Sequence, residues 1–204
     1  MKSSRLPLLC ALWILFTASS NSIAMAYSFK LIQYARSTWH EDFLTGLLMS
    51  GLLSGIGQWV LLETKLKGTW MWILINILSI PLGLSLGNYL HSSLELTISY
   101  QLVVTSIAGM LLGVLQWLVL KNKIRSAYWW IPVSVLSWNI GLNIAYKIPG
   151  LFTPLMWNYS WNISGAIYGL AVGGIVGMLG SITIGKMLAN YQAEIPHFGR
   201  QAVG

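Results

Sequence analysis

Long apolar segments separated by short polar linkers make up most of the chain. Five of these segments have the length of a membrane-spanning helix, since about 20 predominantly apolar residues cross the hydrocarbon core of a bilayer. We name them span A (about 43–62), span B (69–90), span C (97–120), span D (128–148) and span E (163–188). The pattern predicts an all-α membrane protein, a bundle of five transmembrane helices with one further N-terminal segment to be assigned.

The composition excludes a soluble domain. Hydrophobic residues account for 55% of the chain and charged residues for 8%, whereas soluble domains carry about 25% charge. The formal net charge is +7, which in a soluble protein would point to nucleic acid. In a membrane protein the short cytoplasmic loops collect lysine and arginine, so we expect no nucleic-acid partner.

The basic residues of the linkers predict the orientation in the membrane. The linkers after spans A and C carry Lys65, Lys67, Lys121, Lys123 and Arg125. Two spans separate these linkers, so both lie on one side, and the positive-inside rule makes that side the cytoplasm. The tail 189–204 then lies inside as well, while the juxtamembrane segment 27–42 and the aromatic loop 149–162 lie outside. Contact of the five basic side chains with anionic lipid head groups is a further expectation.

The N-terminal segment 1–26 has two interpretations. Lys2 and Arg5 precede the apolar run 6–17, and Ala24-Met25-Ala26 follows it, which is the order of a secretory signal peptide. The polar interruption at 18–22 shortens the apolar core and favours this interpretation. The alternative is an uncleaved first helix, which gives six spans with both ends inside. Charge does not separate the two.

A sequence motif recurs at a distance of 58 residues. The stretch GIGQWVLLETKLKG at 55–68 matches GVLQWLVLKNKIRS at 113–126. The repeated unit is a helical hairpin, first 43–90 and then 97–148. Because each copy contains two spans, the copies begin on the same side and form parallel repeats. Span E shares the spacing of small residues but lacks the Gln-Trp pair, so it is at most half a repeat.

Glycines at four-residue spacing lie on one face of three spans. Small residues on a helix face let two backbones approach closely, and this packing drives helix association in lipid. The sequence therefore predicts tight helix packing at these glycines: Gly51, Gly55, Gly109, Gly113, Gly165, Gly169, Gly173 and Gly177.

Intramembrane amides are the candidates for a polar seam or pathway. Gln58 and Gln116 lie on the glycine faces of spans A and C, where they either form interhelical hydrogen bonds, worth about 0.6–2 kcal/mol, or line a pathway. The full set is Gln58, Gln116, Asn76, Asn139 and Asn143. For Asn139 and Asn143 packing is the favoured role. No charged residue lies in the middle of a span, which argues against proton relays and ion-coupled pumps.

Tryptophans near the ends of the spans predict an aromatic belt at the membrane interfaces. Those near the cytoplasmic end are Trp59, Trp70, Trp72, Trp117, Trp129 and Trp130.

The loops contain few residues that could bind a metal or take part in catalysis. The WHED run at 39–42, and His91 with Glu95, each lack the ligand set that zinc requires. No phosphate-binding loop, metalloprotease motif or nucleophile elbow is present. We expect no cofactor, no metal and no enzymatic activity, and we interpret the single cysteine, Cys10, as a small apolar residue.

The repeated motif resembles a group of small bacterial membrane proteins, common in cyanobacteria, of unknown function. The residues that carry the resemblance are Gly51, Gly55, Gln58, Trp59 and Leu62, then Gly109, Gly113, Gln116, Trp117 and Leu120, and finally Gly165-Ala166-Ile167-Tyr168-Gly169. The first copy departs from the pattern by carrying Glu63 in a basic linker. The resemblance implies a bacterial plasma membrane or thylakoid location and no particular activity.

Two functions follow as expectations. The first is a non-enzymatic helix-packing or assembly partner in a membrane complex, bound to another membrane protein or to a second copy of itself. The alternative is a small transporter or channel with a polar path between the two hairpins.

Overall fold

The computed structural model describes the backbone of residues 6–35, 39–94, 97–156 and 161–201, and the side chains within these ranges outside 29–43, 146, 148–162 and 192–201. Every regular element in this part of the chain is helical, so the predicted all-α fold is confirmed. The six long helices are α1 (Leu6–Ala35), α2 (Trp39–Glu63), α3 (Met71–Ser93), α4 (Tyr100–Leu120), α5 (Trp130–Met156) and α6 (Trp161–Gln201). A single turn of 3-10 helix, Ala127–Trp129, precedes α5.

Five described segments are long and apolar enough to cross a membrane. They are Leu6–Ser28, Leu44–Glu63, Met71–Ser93, Tyr100–Leu120 and Ile163–Tyr191. Spans A, B, C and E correspond to the last four of these segments. The first, Leu6–Ser28, is the N-terminal segment. Span D lies in α5, which packs between α4 and α6. The chain is therefore a multi-pass helical membrane protein.

The six helices form a closed ring. Each helix packs against the next one in the chain, and α6 returns to pack against α1 in the most extensive contact of any pair. Successive helices run antiparallel. We call the end that holds the α2–α3 and α4–α5 loops the basic end, because these loops carry Lys65, Lys67, Lys121, Lys123 and Arg125, and the other end the far end.

Glycines bring the two helices of each hairpin into backbone contact. A Cβ placed on Gly55 of α2 would lie 3.1 Å from the Cα of Ile73 in α3. On Gly113 of α4 it would lie 2.9 Å from the Cα of Ile131 in α5. The matching contacts one turn earlier, at Gly51 and Gly109, are equally close. No side chain larger than the hydrogen of glycine therefore fits between these helices without a shift of the backbone.

A third hairpin of the same geometry joins the two ends of the chain. A Cβ on Gly177 of α6 would lie 3.1 Å from the Cα of Ile14 in α1, and one on Gly173 would lie 2.8 Å from the Cα of Ala18. The sequence predicts at most half a repeat in span E. In the structure α6 instead takes the place of α2 and α4, and α1 takes the place of α3 and α5.

Equivalent side chains of the three hairpins fill the core at the basic end. Leu62, Leu120 and Ile184 lie at matching heights in the glycine-bearing helices, and each has no exposed surface. Four residues further on, Leu66, Ile124 and Leu188 are also buried. The three hairpins therefore surround an axis with approximate threefold symmetry.

Glu63 organises the loop between α2 and α3. Its carboxylate accepts hydrogen bonds from the backbone N–H of Gly68 (2.8 Å), from the backbone N–H of Thr69 (3.0 Å) and from the hydroxyl of Thr69 (2.9 Å). Gly68 has a φ of +73°, a left-handed conformation that side chains disfavour. The acidic residue in this basic linker therefore has a structural role in closing the turn.

Substitutions at two neighbouring glycines of α6 test the backbone contact between α6 and α1. In Gly173→Ala the added Cβ would lie 2.5 Å from the carbonyl oxygen of Thr17, and we expect a loss of about 1–3 kcal/mol from overpacking. Gly174 has no atom within 4 Å of its Cβ position, so Gly174→Ala should be neutral or stabilising by about 0.5–1 kcal/mol. Thermal unfolding in detergent measures both, and equal melting temperatures would contradict the contact.

Candidate functional site

Three tryptophans meet on the axis of the ring. Trp72 and Trp130 start the second helix of the first two hairpins, and Trp13 lies at the matching place in α1. Their ring centroids are 5.7–6.0 Å apart, with the tilted and edge-to-face geometry that aromatic pairs prefer. All three are at most 4% exposed. The interface-belt prediction for Trp72 and Trp130 is therefore wrong, because the hairpin geometry turns them inward. Trp70 and Trp129, both more than half exposed, do face outward.

The repeated glutamines hold two of these tryptophans. The indole N–H of Trp72 donates to Gln58 Oε1 (2.9 Å), and that of Trp130 donates to Gln116 Oε1. Each glutamine also donates from Nε2 to a neighbouring hairpin: Gln58 to Thr17 Oγ1 (2.9 Å) and Gln116 to Asn76 Oδ1 (3.4 Å). Each glutamine thus links its own tryptophan to the next hairpin of the ring.

The third hairpin lacks the glutamine. Gln58 and Gln116 precede the buried residues Leu62 and Leu120 by four positions, and Gly180 precedes Ile184 by the same distance. A Cβ on Gly180 would lie 3.1 Å from Nε1 of Trp13. No hydrogen bond from the Trp13 N–H forms within the described part of the chain. The polar ring is therefore open at one of its three positions.

A small chamber lies next to this opening. It has a volume of about 50 Å³ and is lined by residues from all six helices. The space exceeds the roughly 10–15 Å³ that one water molecule needs. Its polar lining consists of Thr17, Asn21, Ser50, Ser54, Gln58, Asn76, Gln116, Ser134 and Ser137.

A large chamber lies next to the small one, on the side of the far end. It has a volume of about 650 Å³, within the range of ligand pockets, and it too is lined by all six helices. Asn21, Leu47 and Trp138 line both chambers, so the two are adjacent. The remaining polar and amphipathic lining residues are Ser85, Asn88, Tyr100, Gln101, Thr105 and Tyr168.

Two residues that line the chambers each carry a buried donor that has no partner and does not open onto a chamber. The two donors are Nε1 of Trp138, a residue only 8% exposed, and Nε2 of Gln101. A buried N–H without an acceptor costs about 1–3 kcal/mol, and such groups are rare in folded proteins. Both unpaired groups can only donate.

The predicted polar residues divide into two sets. Gln58, Gln116 and Asn76 line the small chamber. Asn139 lies between α4 and α5 instead, where it accepts from Thr105 Oγ1 (2.6 Å) and donates to Ser106 Oγ (3.1 Å). Asn143 is exposed and donates to the backbone of Asn139. Neither residue lines a chamber: Asn139 bonds between helices, and Asn143 bonds only within its own helix.

The predicted packing glycines all lie in the interior of the ring. Gly165 is buried in α6, and a Cβ on Gly169 would clash with the backbone of Asn21 in α1. The other six form the hairpin contacts described above.

The predicted head-group residues cluster at the basic end. Lys123 Nζ donates to the backbone carbonyl of Lys67, which joins the two loops. The ammonium of Lys121 lies 5.4 Å from the ring centroid of Trp117. Lys67, Lys121 and Arg125 are exposed and Lys65 is half-buried, so the group is free to meet anionic lipid, which stays a prediction.

No cluster of three metal-ligating side chains occurs in the described ranges. His91 lies 3.2 Å from the carbonyl of Ile98 and packs edge-on against Tyr100. Glu95 and the side chains of 39–42 lie outside the described residues.

Sequence reasoning missed the contribution of α1 to the chambers. The signal was present: Trp13, Thr17, Ser20 and Ala24 have the same spacing as Trp72, Asn76, Ser79 and Gly83. A cleaved signal peptide would have no place in the bundle, so that interpretation gives these residues no role in a repeat.

Comparison of the chain with protein-family models, with curated proteins and with solved structures gives no match. The class that the fold and the site define is a multi-pass helical membrane protein with an axial polar cavity. The resemblance to small bacterial membrane proteins stays a prediction.

A double-mutant cycle tests the glutamine–tryptophan bond. We expect Gln58→Leu and Trp72→Phe to be coupled by about 0.6–1.7 kcal/mol, the range for hydrogen bonds between membrane helices. Gln58→Leu combined with Trp129→Phe, which changes an exposed ring, should be additive. The free energy of unfolding in mixed micelles is the measurement, and additivity of the first pair would contradict the bond.

Proposed function

We propose that this protein is a small-solute transporter whose binding site is the axial cavity. The observation that carries the proposal is a pair of adjacent chambers that all six helices line and that lie between the axial tryptophans and the far end. Transporters place their solute sites near the middle of the membrane, at the interface between repeats. The two chambers lie at the corresponding place in the ring.

Closure at the basic end supports a transporter rather than an open channel. The three axial tryptophans and the fully buried Leu62, Leu120 and Ile184 fill the ring there. A cavity that is accessible at one end and sealed at the other is what alternating access requires of each of its states. Relative movement of the three hairpins would be the way to open the sealed end.

The packing of the glycines weakens the case for an assembly partner. That interpretation rests on glycine faces available to helices of other proteins. In the structure Gly51, Gly109 and Gly173 are occupied by the second helix of their own hairpins. The assembly role and a homo-oligomer stay untested predictions. The glycine faces that motivated them are covered by helices of the same chain.

The orientation and the membrane belong to the proposal. The positive-inside rule places the basic end in the cytoplasm, so the large chamber would load from the outside. The resemblance noted above supports a bacterial plasma membrane or thylakoid.

We also propose that α1 remains in the functional protein as the sixth helix. Trp13 is 1% exposed among the core residues, and Ser22 donates to the carbonyl of Ala166 in α6 (3.0 Å). Loss of residues 1–26 would remove most of α1 and leave the glycine face of α6 uncovered.

Thiol labelling tests access to the cavity. In a Cys10→Ala background, Ser85→Cys places a thiol on the wall of the large chamber, and Leu86→Cys places one on the outer face of the same helix, where Leu86 is 46% exposed. We expect an uncharged, membrane-impermeant maleimide with a sugar head group to label Ser85→Cys in membranes and to leave Leu86→Cys unlabelled. Equal labelling of the two positions would contradict a water-accessible chamber.

Labelling of Ser85→Cys from each side of the membrane distinguishes transport from binding alone. In sealed vesicles, reagent added at the far end should label Ser85→Cys quickly, and reagent added at the basic end should label it more slowly but completely. Labelling from the far end alone would limit the protein to binding and would overturn transport.

A further inference from the structure

We propose that the solute is an uncharged molecule with an apolar body and a carbonyl-type hydrogen-bond acceptor, and that the acceptor points towards the position left open by Gly180. This inference rests on the proposed function and adds the chemical class of the ligand. Three observations carry it: the charge of the lining, the unpaired donor at the small chamber and the missing glutamine.

The lining excludes charged ligands. None of the described residues that line either chamber is Asp, Glu, Lys or Arg. A charged group that enters a low-dielectric site without a counter-charge loses hydration that nothing replaces. The large chamber also presents Met25, Leu84, Val104, Leu142 and Val172, which suit an apolar body.

The unpaired group at the small chamber is a donor. The indole N–H of Trp13 lies 3.1 Å from the Cβ position of Gly180, both residues line the small chamber, and this N–H forms no hydrogen bond in the described part of the chain. An indole N–H can only donate. The hydroxyls of Ser54, Ser134 and Ser137 already donate to their own helices. A ligand that supplies a lone pair therefore satisfies the group left unpaired.

The third hairpin lacks the glutamine of the other two, and this difference indicates where the acceptor of the ligand lies. In the first two hairpins a glutamine oxygen accepts from the axial tryptophan. At the third position Gly180 leaves the N–H of Trp13 facing the small chamber, and Gly180 lines that chamber beside Ser134. A carbonyl oxygen of the ligand would occupy the place that the glutamine oxygen has in the other two hairpins.

Photolabelling with a benzophenone derivative tests the inference. The probe is a methyl ketone joined by an alkyl chain to benzophenone. The methyl ketone is the acceptor, and the excited ketone of benzophenone, which inserts preferentially at methionine, reacts at the other end of the molecule. Met25 is 4% exposed and lines the large chamber, whereas Met110 and Met178 are about half exposed on the outside of the ring. Labelled sites in liposomes are read by mass spectrometry, with the two outer methionines as the internal reference for probe dissolved in lipid.

We expect the probe to label Met25 in a saturable manner. Gly180→Gln should lower this labelling relative to Met110 by about tenfold, which corresponds to about 1.4 kcal/mol. Trp13→Phe should lower it in the same direction, and Trp129→Phe, on the exposed surface, should not. The corresponding anion, in which a carboxylate replaces the methyl ketone, carries the same reactive group, and we expect it to leave Met25 unlabelled.

The outcomes separate this inference from the proposed function. Equal labelling of Met25 by the anion would overturn the uncharged class, and unchanged labelling in both Gly180→Gln and Trp13→Phe would overturn the acceptor position. Absence of Met25 labelling, with Ser85→Cys still reactive towards the maleimide, would overturn the ligand class and leave the transporter proposal standing. An unreactive Ser85→Cys would remove the proposed function itself.

Discussion

Backbone contact between paired helices is the constraint on which the rest of the structure depends. At Gly55, Gly113 and Gly177 the Cα of an isoleucine on the partner helix lies about 3 Å from where a Cβ would be. Helices this close can adopt few relative orientations, so three hairpins built on the same contact have the same shape. Three like hairpins then close into a ring, with the same faces turned to the axis.

Closure of the ring also explains the polar side chains at its centre. Each second helix carries a tryptophan at the matching height, Trp72, Trp130 or Trp13, so the ring places three indoles together on the axis. Their N–H groups need acceptors in a setting that offers little water, and Gln58 and Gln116 supply two of them. Glutamine is costly in a membrane span, and its recurrence is explained by this pairing. Where the glutamine gives way to Gly180, the ring gains a chamber.

The sequence predicts much of this fold and part of the site. Apolar length predicts the helices, and glycine spacing predicts their packing faces, because both depend on residues close together in the chain. The matching motifs likewise point to Gln58, Gln116 and Asn76. The third hairpin is harder to find, because its halves lie at opposite ends of the sequence. Asn139 and Asn143 are predicted as candidates from residue type alone, and only the rotation of α5 places them away from the axis.

Pairing of the first and last helices is the central claim, and a disulfide between them tests it most directly. A Cβ on Gly185 of α6 would lie 2.9 Å from Sγ of Cys10 in α1 and within 4 Å of no other atom of a neighbouring helix, so Gly185→Cys places a second thiol within disulfide reach without overpacking the contact. Gly185→Cys should form a disulfide with Cys10 within one chain on mild oxidation, as read by mass spectrometry of the intact protein and its peptides. Gly174→Cys should not. Loss of residue 10 from the mature protein, or failure of Gly185→Cys to cross-link to Cys10, would contradict the closed ring.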